Sequence, residues 1–289
     1  MMRTKRERGL SLTTCLLLLA LTIFVAPTSA QVLQYEFEEG TGLTTSDLTG
    51  NGHTGHLMGG AAFSFGKHPS SGGLLFDGSN DYVAISNLFY QGTNYATFSV
   101  SFWLKTTDKS NQVIASFDRE EYWRVEINGP SAGQGDVGFT VATTSGAVES
   151  LGGTTRIDNG LWHHIVTVFD NGVLSLYIDG VLNNSKTVAG TTFGTGSTRY
   201  GFIGVGSEAD VYDGSKSPTD YFNGSLDDFR IYNMGLTQTE VQALYDQKLA
   251  DGLDADEDGL DDLWEYQYLL DLSQGPADDY DLDGLNNLN

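Results

Sequence analysis

The sequence predicts an all-β fold in which two antiparallel sheets pack as a sandwich. Short apolar runs recur along the 289 residues, separated by turns rich in Gly, Asn and Asp, and the chain contains 36 Gly and 11% aromatic residues. Long helical periodicities are few, and one of them follows Thr237. Many short strands with Gly-rich turns are typical of sandwiches and barrels, which reach about 200–250 residues as one domain.

The clearest strands lie at residues 161–187. Asn171-Gly172 separates two apolar runs, and both residues tolerate the positive φ that a type I′ hairpin turn requires. Asp179-Gly180 turns the chain again, so three consecutive antiparallel strands are expected. The run 162–169 is apolar on both alternating faces, which predicts a strand covered on both sides.

The other elements follow from the same patterns. Thr237 and Glu240 form a capping box, after which apolar residues recur on one helical face, and Gly252 is expected to end the helix. That apolar face consists of Val241, Leu244, Tyr245 and Leu249. The remaining strands are predicted at 32–37, 74–76, 82–85, 98–105, 113–117, 122–127, 137–141, 202–205 and 225–232.

Residues 1–30 have the features of a signal peptide. A basic start is followed by the apolar run 16–25 and by the small residues Thr28-Ser29-Ala30. We therefore expect export, a secreted or cell-surface location and no membrane insertion after cleavage. Cys15, the only cysteine, would be removed with this segment, so disulfides cannot stabilise the exported chain.

The net charge of the exported chain limits the classes of partner that it can bind. Without residues 1–30, 11 Lys and Arg remain against 37 Asp and Glu, a net charge of −26. This excess argues against nucleic acid and anionic membranes. The excess favours the binding of divalent cations, which would stabilise the long loops in the absence of disulfides.

The C-terminal tail contains a calcium-loop pattern, D-x-D-x-D-G-x5-E. In this pattern carboxylates, one backbone carbonyl and a closing bidentate glutamate supply the six to eight oxygens that calcium prefers. A second loop starts 25 residues later, and its twelfth position falls beyond Asn289. The expected ligands are Asp254, Asp256, Asp258, Leu260, Asp262 and Glu265 in the first loop, and Asp279, Asp281, Asp283, Leu285 and Asn287 in the second.

These two loops resemble the bacterial, EF-hand-like form of the thrombospondin type 3 calcium repeat. The resemblance implies calcium as a cofactor, and the unfinished second loop predicts that the sequence belongs to a longer protein with further domains. Residues 251–289 contain 13 acidic residues and no Lys or Arg. A solvated acidic tail is therefore the alternative interpretation.

Several motifs occurring in order resemble the laminin G-like, concanavalin A-like jelly-roll domain of exported bacterial proteins. They are YEFEEGTG (35–42), DLTGNGHTG (47–55), LFDGSNDYV (75–83), FSVSFWLK (98–105), LWHHIV (161–166), LYIDG (176–180), NGSLDDFRIYN (223–233) and LTQTEV (236–241). The resemblance implies a two-sheet jelly roll that binds glycans or extracellular proteins, with its first and last strands paired. It also implies a calcium site at the rim, for which the candidates are Glu38, Asp47, Asn51 and Asp228; turn capping is the alternative role for these residues.

A glycan binder needs exposed aromatic rings beside polar groups, because the apolar face of a sugar stacks on a ring. The candidates in or next to predicted loops are Tyr122, Trp123, Tyr212 and Tyr221, with Tyr90 and Tyr95 as further possibilities.

Catalysis is the weakest alternative. Some similar sandwiches are glycoside hydrolases, which use two carboxylates about 5 Å apart on one strand in the retaining mechanism. The nearest match is Glu208-x-Asp210-x-x-Asp213, whose Gly and Ser neighbours predict a loop, while the acidic segment 118–121 is expected to form an exposed hairpin turn. His163 and His164 are adjacent, so they should lie on opposite faces of one strand and cannot hold a metal together.

The sequence thus predicts a signal peptide (1–30), a jelly-roll domain (31–249) and a calcium-binding repeat tail (250–289). The expected function is an exported, non-catalytic binding or adhesion module. A structural spacer within a larger surface protein and a glycoside hydrolase are the alternatives.

The complete loop at 254–265 generates a first prediction. Calcium should bind the tail and order residues 251–272, because without a cation the carboxylates repel one another. Residues 262–272 are expected to form a helix when calcium is bound to the tail. Asp254→Ala combined with Glu265→Gln should abolish this effect. Calorimetry and circular dichroism of the isolated tail measure it, and a tail that gives neither binding heat nor a spectral change on calcium addition would refute the prediction.

Overall fold

A computed structural model of the chain describes residues 30–68, 71–129, 134–213 and 217–250, without the side chains of 248–250. The predicted signal peptide, up to residue 29, and the predicted calcium repeats at 251–289 lie outside the described residues.

The described chain contains sixteen strands followed by one helix. The elements are β1 (Gln31–Tyr35), β2 (Thr44–Thr45), β3 (Gly55–Met58), β4 (Ala62–Phe65), β5 (Gly72–Asp77), β6 (Tyr82–Tyr90), β7 (Thr97–Lys105), β8 (Gln112–Ser116), β9 (Trp123–Ile127), β10 (Val137–Ala142), β11 (Val148–Gly152), β12 (His163–Asp170), β13 (Val173–Ile178), β14 (Val181–Thr187), β15 (Arg199–Ile203), β16 (Asn223–Tyr232) and α1 (Gln238–Ala250).

The strands form two eight-stranded antiparallel sheets, as expected for a jelly-roll-like sandwich. Sheet A has the order β14-β13-β12-β7-β16-β5-β4, with β1 paired to β16 as well, and sheet B has the order β11-β10-β9-β8-β15-β6-β3-β2. Neighbours within each sheet are often distant in the sequence, so the two sheets are assembled by long-range pairing.

The two turns predicted around β13 have the expected geometry. Asn171 and Gly172 have φ angles of 47° and 87°, and Asp179 and Gly180 have 51° and 79°. Positive φ at both central residues defines the type I′ turn, whose twist matches that of the flanking strands. The meander β12-β13-β14 is therefore confirmed, with β12 buried on both faces.

Strand β16 joins three neighbours. It pairs with β7 on one side, while β5 pairs with its first half and β1 with its second half on the other. The register with β7 shifts between Asp227 and Arg230, where one extra residue forms a bulge, and Asp228 there has a φ of 56°. The predicted pairing of the first and last strands is thus confirmed.

The inner faces of both sheets form one continuous core. Aromatic rings occupy its centre: Phe98 stacks on Trp123 with centroids 5.2 Å apart, and Phe102 stacks on Phe229 at 5.9 Å. A second, smaller cluster lies on the outer face of sheet A, where Val241 of α1 packs near strands β12, β13 and β16.

Helix α1 begins with the predicted capping box. The backbone N–H and the hydroxyl of Thr237 both donate to the Glu240 carboxylate, at 2.6 and 2.8 Å. Tyr245 stacks on Trp103 of sheet A with centroids 5.5 Å apart. Within the described part of the chain, no helix combines the length and hydropathy needed to span a membrane.

His164 lies beneath this helix on the outer face of sheet A, and only 2% of its surface is exposed. Its Nε2 is 2.9 Å from the Ser101 hydroxyl, and its ring packs against Trp103 and Tyr245. Burial lowers its pKa to about 4, although the nearby Asp228 carboxylate acts in the opposite direction. His163 points the other way and contacts Asp179 at 2.8 Å, so the two histidines occupy opposite faces, as predicted.

This environment predicts an acid-sensitive contribution to stability. Between about pH 6.5 and 4 the unfolded state binds a proton at residue 164 that the folded state does not bind, so stability should fall as the pH falls. From pH 7 to 4.5 this one group should cost about 2.5 kcal/mol.

His164→Gln should remove this component, because the amide stays neutral throughout the range. Urea unfolding of both proteins at several pH values isolates it, since the carboxylates common to both contribute equally. Equal slopes of unfolding free energy against pH in the two proteins would contradict the assignment.

Candidate functional site

The outer face of sheet B is divided into an apolar part and a polar part. The apolar part, here called the outer aromatic patch, surrounds buried Phe202, and the ring of Tyr82 meets it edge-on at 6.2 Å. Its other members are Ala84, Val205 and Ala209, with Met58, Tyr200 and Tyr221 at its margin. The polar part lies over β8 and β9.

The described residues of the segment 204–222, between β15 and β16, cover part of this face and are fixed at several points. Gly206 and Thr219 exchange two backbone hydrogen bonds, each 2.9 Å long, which hold these two positions together. The N–H of Val113 donates to the carbonyl of Asp220 at 2.7 Å, and the N–H of Asn223 donates to the Gln112 side chain at 2.8 Å. Strand β8 thus holds the loop at its C-terminal end.

The hairpin between β8 and β9 faces this loop. Asp118 begins the turn with a φ of 63°, and its carboxylate accepts a hydrogen bond from the N–H of Glu120 at 3.0 Å. Its other oxygen accepts from Nε of Arg199 at 2.7 Å, and Arg199 also reaches Glu121 at 3.3 Å. This largely buried ion-pair network ties the hairpin to β15.

A cavity of about 290 Å³ lies between the hairpin and the loop. Acidic, basic and hydroxyl side chains contribute to its wall, so acceptors and donors face the same space. The wall includes the acids Asp118, Glu120, Glu208 and Asp220, the bases Arg119 and Arg124, and the hydroxyl residues Ser116, Ser207, Ser217 and Thr219.

Arg124 is held at the base of this polar region by Glu126, two residues further along β9. Both side chains point outward, because the alternate residues Trp123, Val125 and Ile127 belong to the core. Glu126 is completely buried, so the pair is shielded from water and its geometry is fixed. The sequence interpretation missed Arg124, although a charged pair at alternate positions of an otherwise apolar strand could have indicated it.

Two of the predicted ligand-binding aromatics are not available to a ligand. Tyr122 and Trp123 are fully buried, and Tyr122 donates from its hydroxyl to the carbonyl of Ser197 at 2.6 Å. The expectation for these two residues was wrong, because Tyr90 stacks on Tyr122 and Phe98 stacks on Trp123.

The other two aromatics lie on the segment 204–222. Tyr212 is 46% exposed, and its ring is 5.7 Å from that of His56 on β3. Tyr221 is partly buried at the margin of the outer aromatic patch. Of the four aromatic candidates, Tyr212 is therefore the one best placed for stacking against a ligand.

The carboxylates considered for catalysis do not form a strand motif. Residues 208–213 lie outside the strands, as predicted from their neighbours. Glu208 lines the cavity, whereas Asp210 and Asp213 do not. The acidic turn 118–121 lies on the opposite wall, so the cavity brings together two loops that were considered separately from the sequence. The turn is not fully exposed as predicted, because Asp118 is buried against Arg199.

The four rim candidates have separate hydrogen-bonding roles. Asp47 accepts from the N–H groups of Gln34 and His53, and Asn51 donates to backbone carbonyls of β1. Glu38 accepts from the N–H of Gly72 at 2.7 Å.

Asp228 accepts two hydrogen bonds from the side chain of Arg230. Among the described residues, no three His, Cys, Asp or Glu side chains are grouped so that they could hold a metal ion. The roles found for the four residues are those of turn and strand contacts, and a rim calcium stays a prediction.

Comparison with known proteins places this fold in a family. Residues 77–242 match the laminin G type 3 family model, described as the concanavalin A-like lectin/glucanases superfamily. A curated relative is the rat (Rattus norvegicus) "Sushi, von Willebrand factor type A, EGF and pentraxin domain-containing protein 1", which is 26% identical over 188 residues. That match covers 62% of this chain and 5% of the rat protein.

Solved structures with the same fold include toxin binding domains. The binding domain of Paraclostridial Mosquitocidal Protein 1 superposes with a TM-score of 0.59 at 16% identity, over 77% of this chain and 53% of that one. The binding domain of botulinum neurotoxin DC, solved in complex with rat synaptotagmin II, gives a TM-score of 0.58 at 14% identity, over 78% and 53% of the two chains.

The chain thus spans about half of these binding domains, and the similarity at such identities establishes the fold alone. The match to the family model covers more than half of the sequence and includes most strands of both sheets. The chain therefore belongs to the laminin G type 3 family of the concanavalin A-like lectin/glucanases superfamily.

Proposed function

We propose that this protein is an exported, non-catalytic binding module that recognises a neutral glycan of the extracellular matrix or of a cell surface. The observation that carries the proposal is the composition of the cavity between the β8–β9 hairpin and the segment 204–222. Carboxylates accept hydrogen bonds, guanidinium groups donate them and hydroxyls do both. A sugar presents many hydroxyls that need both kinds of partner.

The balance of charge in the cavity favours an uncharged ligand. Asp118 is paired with Arg199, Glu120 with Arg119, and Arg124 with Glu126, so most charges in the wall already have a counter-charge. A strongly anionic ligand would have to compete with these pairs and would also meet the carboxylates of Glu208 and Asp220. A neutral ligand can use their remaining donors and acceptors without separating them.

An exposed ring on the same loop supports the same ligand class. Tyr212 lies outside the cavity, against His56 of β3, and aromatic rings stack on the apolar face of sugars, so this ring would contact a further unit of a longer glycan. Family membership and the fold shared with toxin binding domains support a binding role in general. Calcium ordering of the repeat tail, export through residues 1–30 and attachment to further domains remain part of the proposal.

A glycan array screened with the full chain, with and without calcium, tests the proposal and identifies a ligand. For the best ligand, Glu208→Gln combined with Asp220→Asn should reduce affinity about tenfold or more, since each lost hydrogen bond to a charged group is worth about 1.5–3 kcal/mol.

The matched control is Asp210→Asn combined with Asp213→Asn, which neutralises two acids of the same loop that lie outside the cavity. This control should bind within about twofold of the wild type, a difference well under 1 kcal/mol. An array without any bound glycan, or equal affinity in the cavity variant and the wild type, would overturn the proposal.

The enzyme alternative has its own test. We expect no release of reducing sugar when the protein is incubated with a β-glucan or a galactan, because the acids at 208–213 lie in a loop and not on an inner strand. Hydrolysis by the wild type that disappears when Glu208, Asp210 and Asp213 are all replaced by their amides would establish catalysis instead.

A further inference from the structure

The edge strands of the two sheets face each other on two sides of the sandwich, and these two sides differ in their contacts. On one side, side chains of β14 bridge to the β11 edge of the opposite sheet. Lys186 contacts the Glu149 carboxylate at 2.8 Å, and the Asn184 side chain donates to the carbonyl of Gly152 at 2.8 Å. This side is therefore fastened by polar contacts between the sheets.

The other side, between the β4 edge of sheet A and the β2 edge of sheet B, contains a cleft of about 540 Å³. One wall is the loop 40–43 and the other is the segment 58–63. The side chains are small or apolar, and Leu43 at the mouth of the cleft is 72% exposed. A cleft of this size is within the range of ligand pockets, about 300–1,000 Å³.

Strand β4 forms the last strand of sheet A beside this cleft. The N–H of Gly66 donates to the carbonyl of Ser71 at 2.8 Å, which fixes the alternation of the β4–β5 hairpin. In this register the backbone N–H and C=O groups of Ala62 and Ser64 point towards β5. Those of Phe63, which lies between them, therefore point away from β5. Among the described strands, β5 is the one neighbour of β4.

The edge strand β4 is short, at four residues, but it lacks the other usual protection against added strands. Its sequence is AFSF, without Lys, Pro or a bulge, and an unpaired edge is a template for pairing with another chain. Phe63 packs partly into the core beside the cleft, which keeps this part of the strand in place.

The charge near the cleft indicates the kind of partner. Exposed Glu39 directly precedes the loop wall, and its carboxylate accepts a hydrogen bond from the backbone N–H of Ser46 at 2.7 Å. The chain as a whole has a net charge of −23. A second copy would bring the same negative charge to this edge, whereas a basic segment would be attracted.

We propose that β4 accepts an extended, basic segment of another protein as an added strand. Backbone hydrogen bonds to Phe63 provide the pairing, one apolar side chain of the segment enters the cleft, and a Lys or Arg of the segment lies beside Glu39. This mode of recognition obtains affinity from the main chain and selectivity from alternate side chains. The site is separate from the glycan cavity and does not depend on it.

The test uses a phage-displayed library of random twelve-residue peptides, selected on the full chain alone, and the enriched peptides are then measured against Phe63→Pro. Proline removes the N–H that would pair with the added strand, while the hydrogen bonds of Ser64 and Ala62 to β5 stay. Phe63→Leu is the matched control, because it shortens the same side chain and keeps the N–H.

The selected peptides should be rich in Lys and Arg and should alternate β-branched or aromatic residues. They should bind Phe63→Pro at least tenfold more weakly than Phe63→Leu, at similar melting temperatures of the two variants. In the complex with the wild type, amide exchange at Phe63 should slow. Raising the salt concentration should weaken binding.

Three results would overturn the proposal. They are the absence of enriched peptides, enriched peptides that are acidic or that bind both variants equally, and unchanged exchange at the Phe63 amide. Self-association of the wild type in light scattering, lost in Phe63→Pro, would identify a second copy as the occupant and would equally exclude the basic segment.

Discussion

The architecture depends on strand β16, which pairs with three other strands. On one side it pairs with β7, and on the other it changes partner from β5 to β1 near the bulge at Asp228. A bulge increases local twist and interrupts the ladder, which allows two strands to share one edge of a third. The charge of Asp228 meets Arg230 there, and although burial acts against the guanidinium charge, the neighbouring carboxylate leaves the pKa of Arg230 raised.

Local rules explain why parts of the fold could be predicted from the sequence. Asn171-Gly172 and Asp179-Gly180 specify their turns through φ alone, and Thr237 with Glu240 specifies a helix start through three hydrogen bonds within four residues. None of these features requires knowledge of a distant segment. The pairing of β1 with β16 was expected from the family resemblance, because neither strand indicates its partner.

Side-chain exposure was harder to predict, since it depends on which segments cross a strand. Tyr122 ends a hairpin turn, a position that normally favours exposure, yet Tyr90 and the segment around Phe193 cover it. The candidate cavity was hard to predict for the same reason, because it depends on segments that are distant in the sequence. Its two walls are more than 80 residues apart in the sequence, and they meet because β8 pairs with β15 in sheet B. No local pattern in either loop encodes that pairing.

The position of β16 also determines the order in which the protein can fold. Strand β1 is the first to be synthesised, but Tyr35 pairs with Phe229 and the rest of β1 with residues that follow it. During synthesis β1 therefore has no pairing partner until nearly the whole domain has been made, and its apolar residues stay exposed until then. Long-range pairing of this kind slows folding and exposes the chain to aggregation. Sheet A can be completed only after its last strand has been made, so the pairing of β1 is a late step in folding.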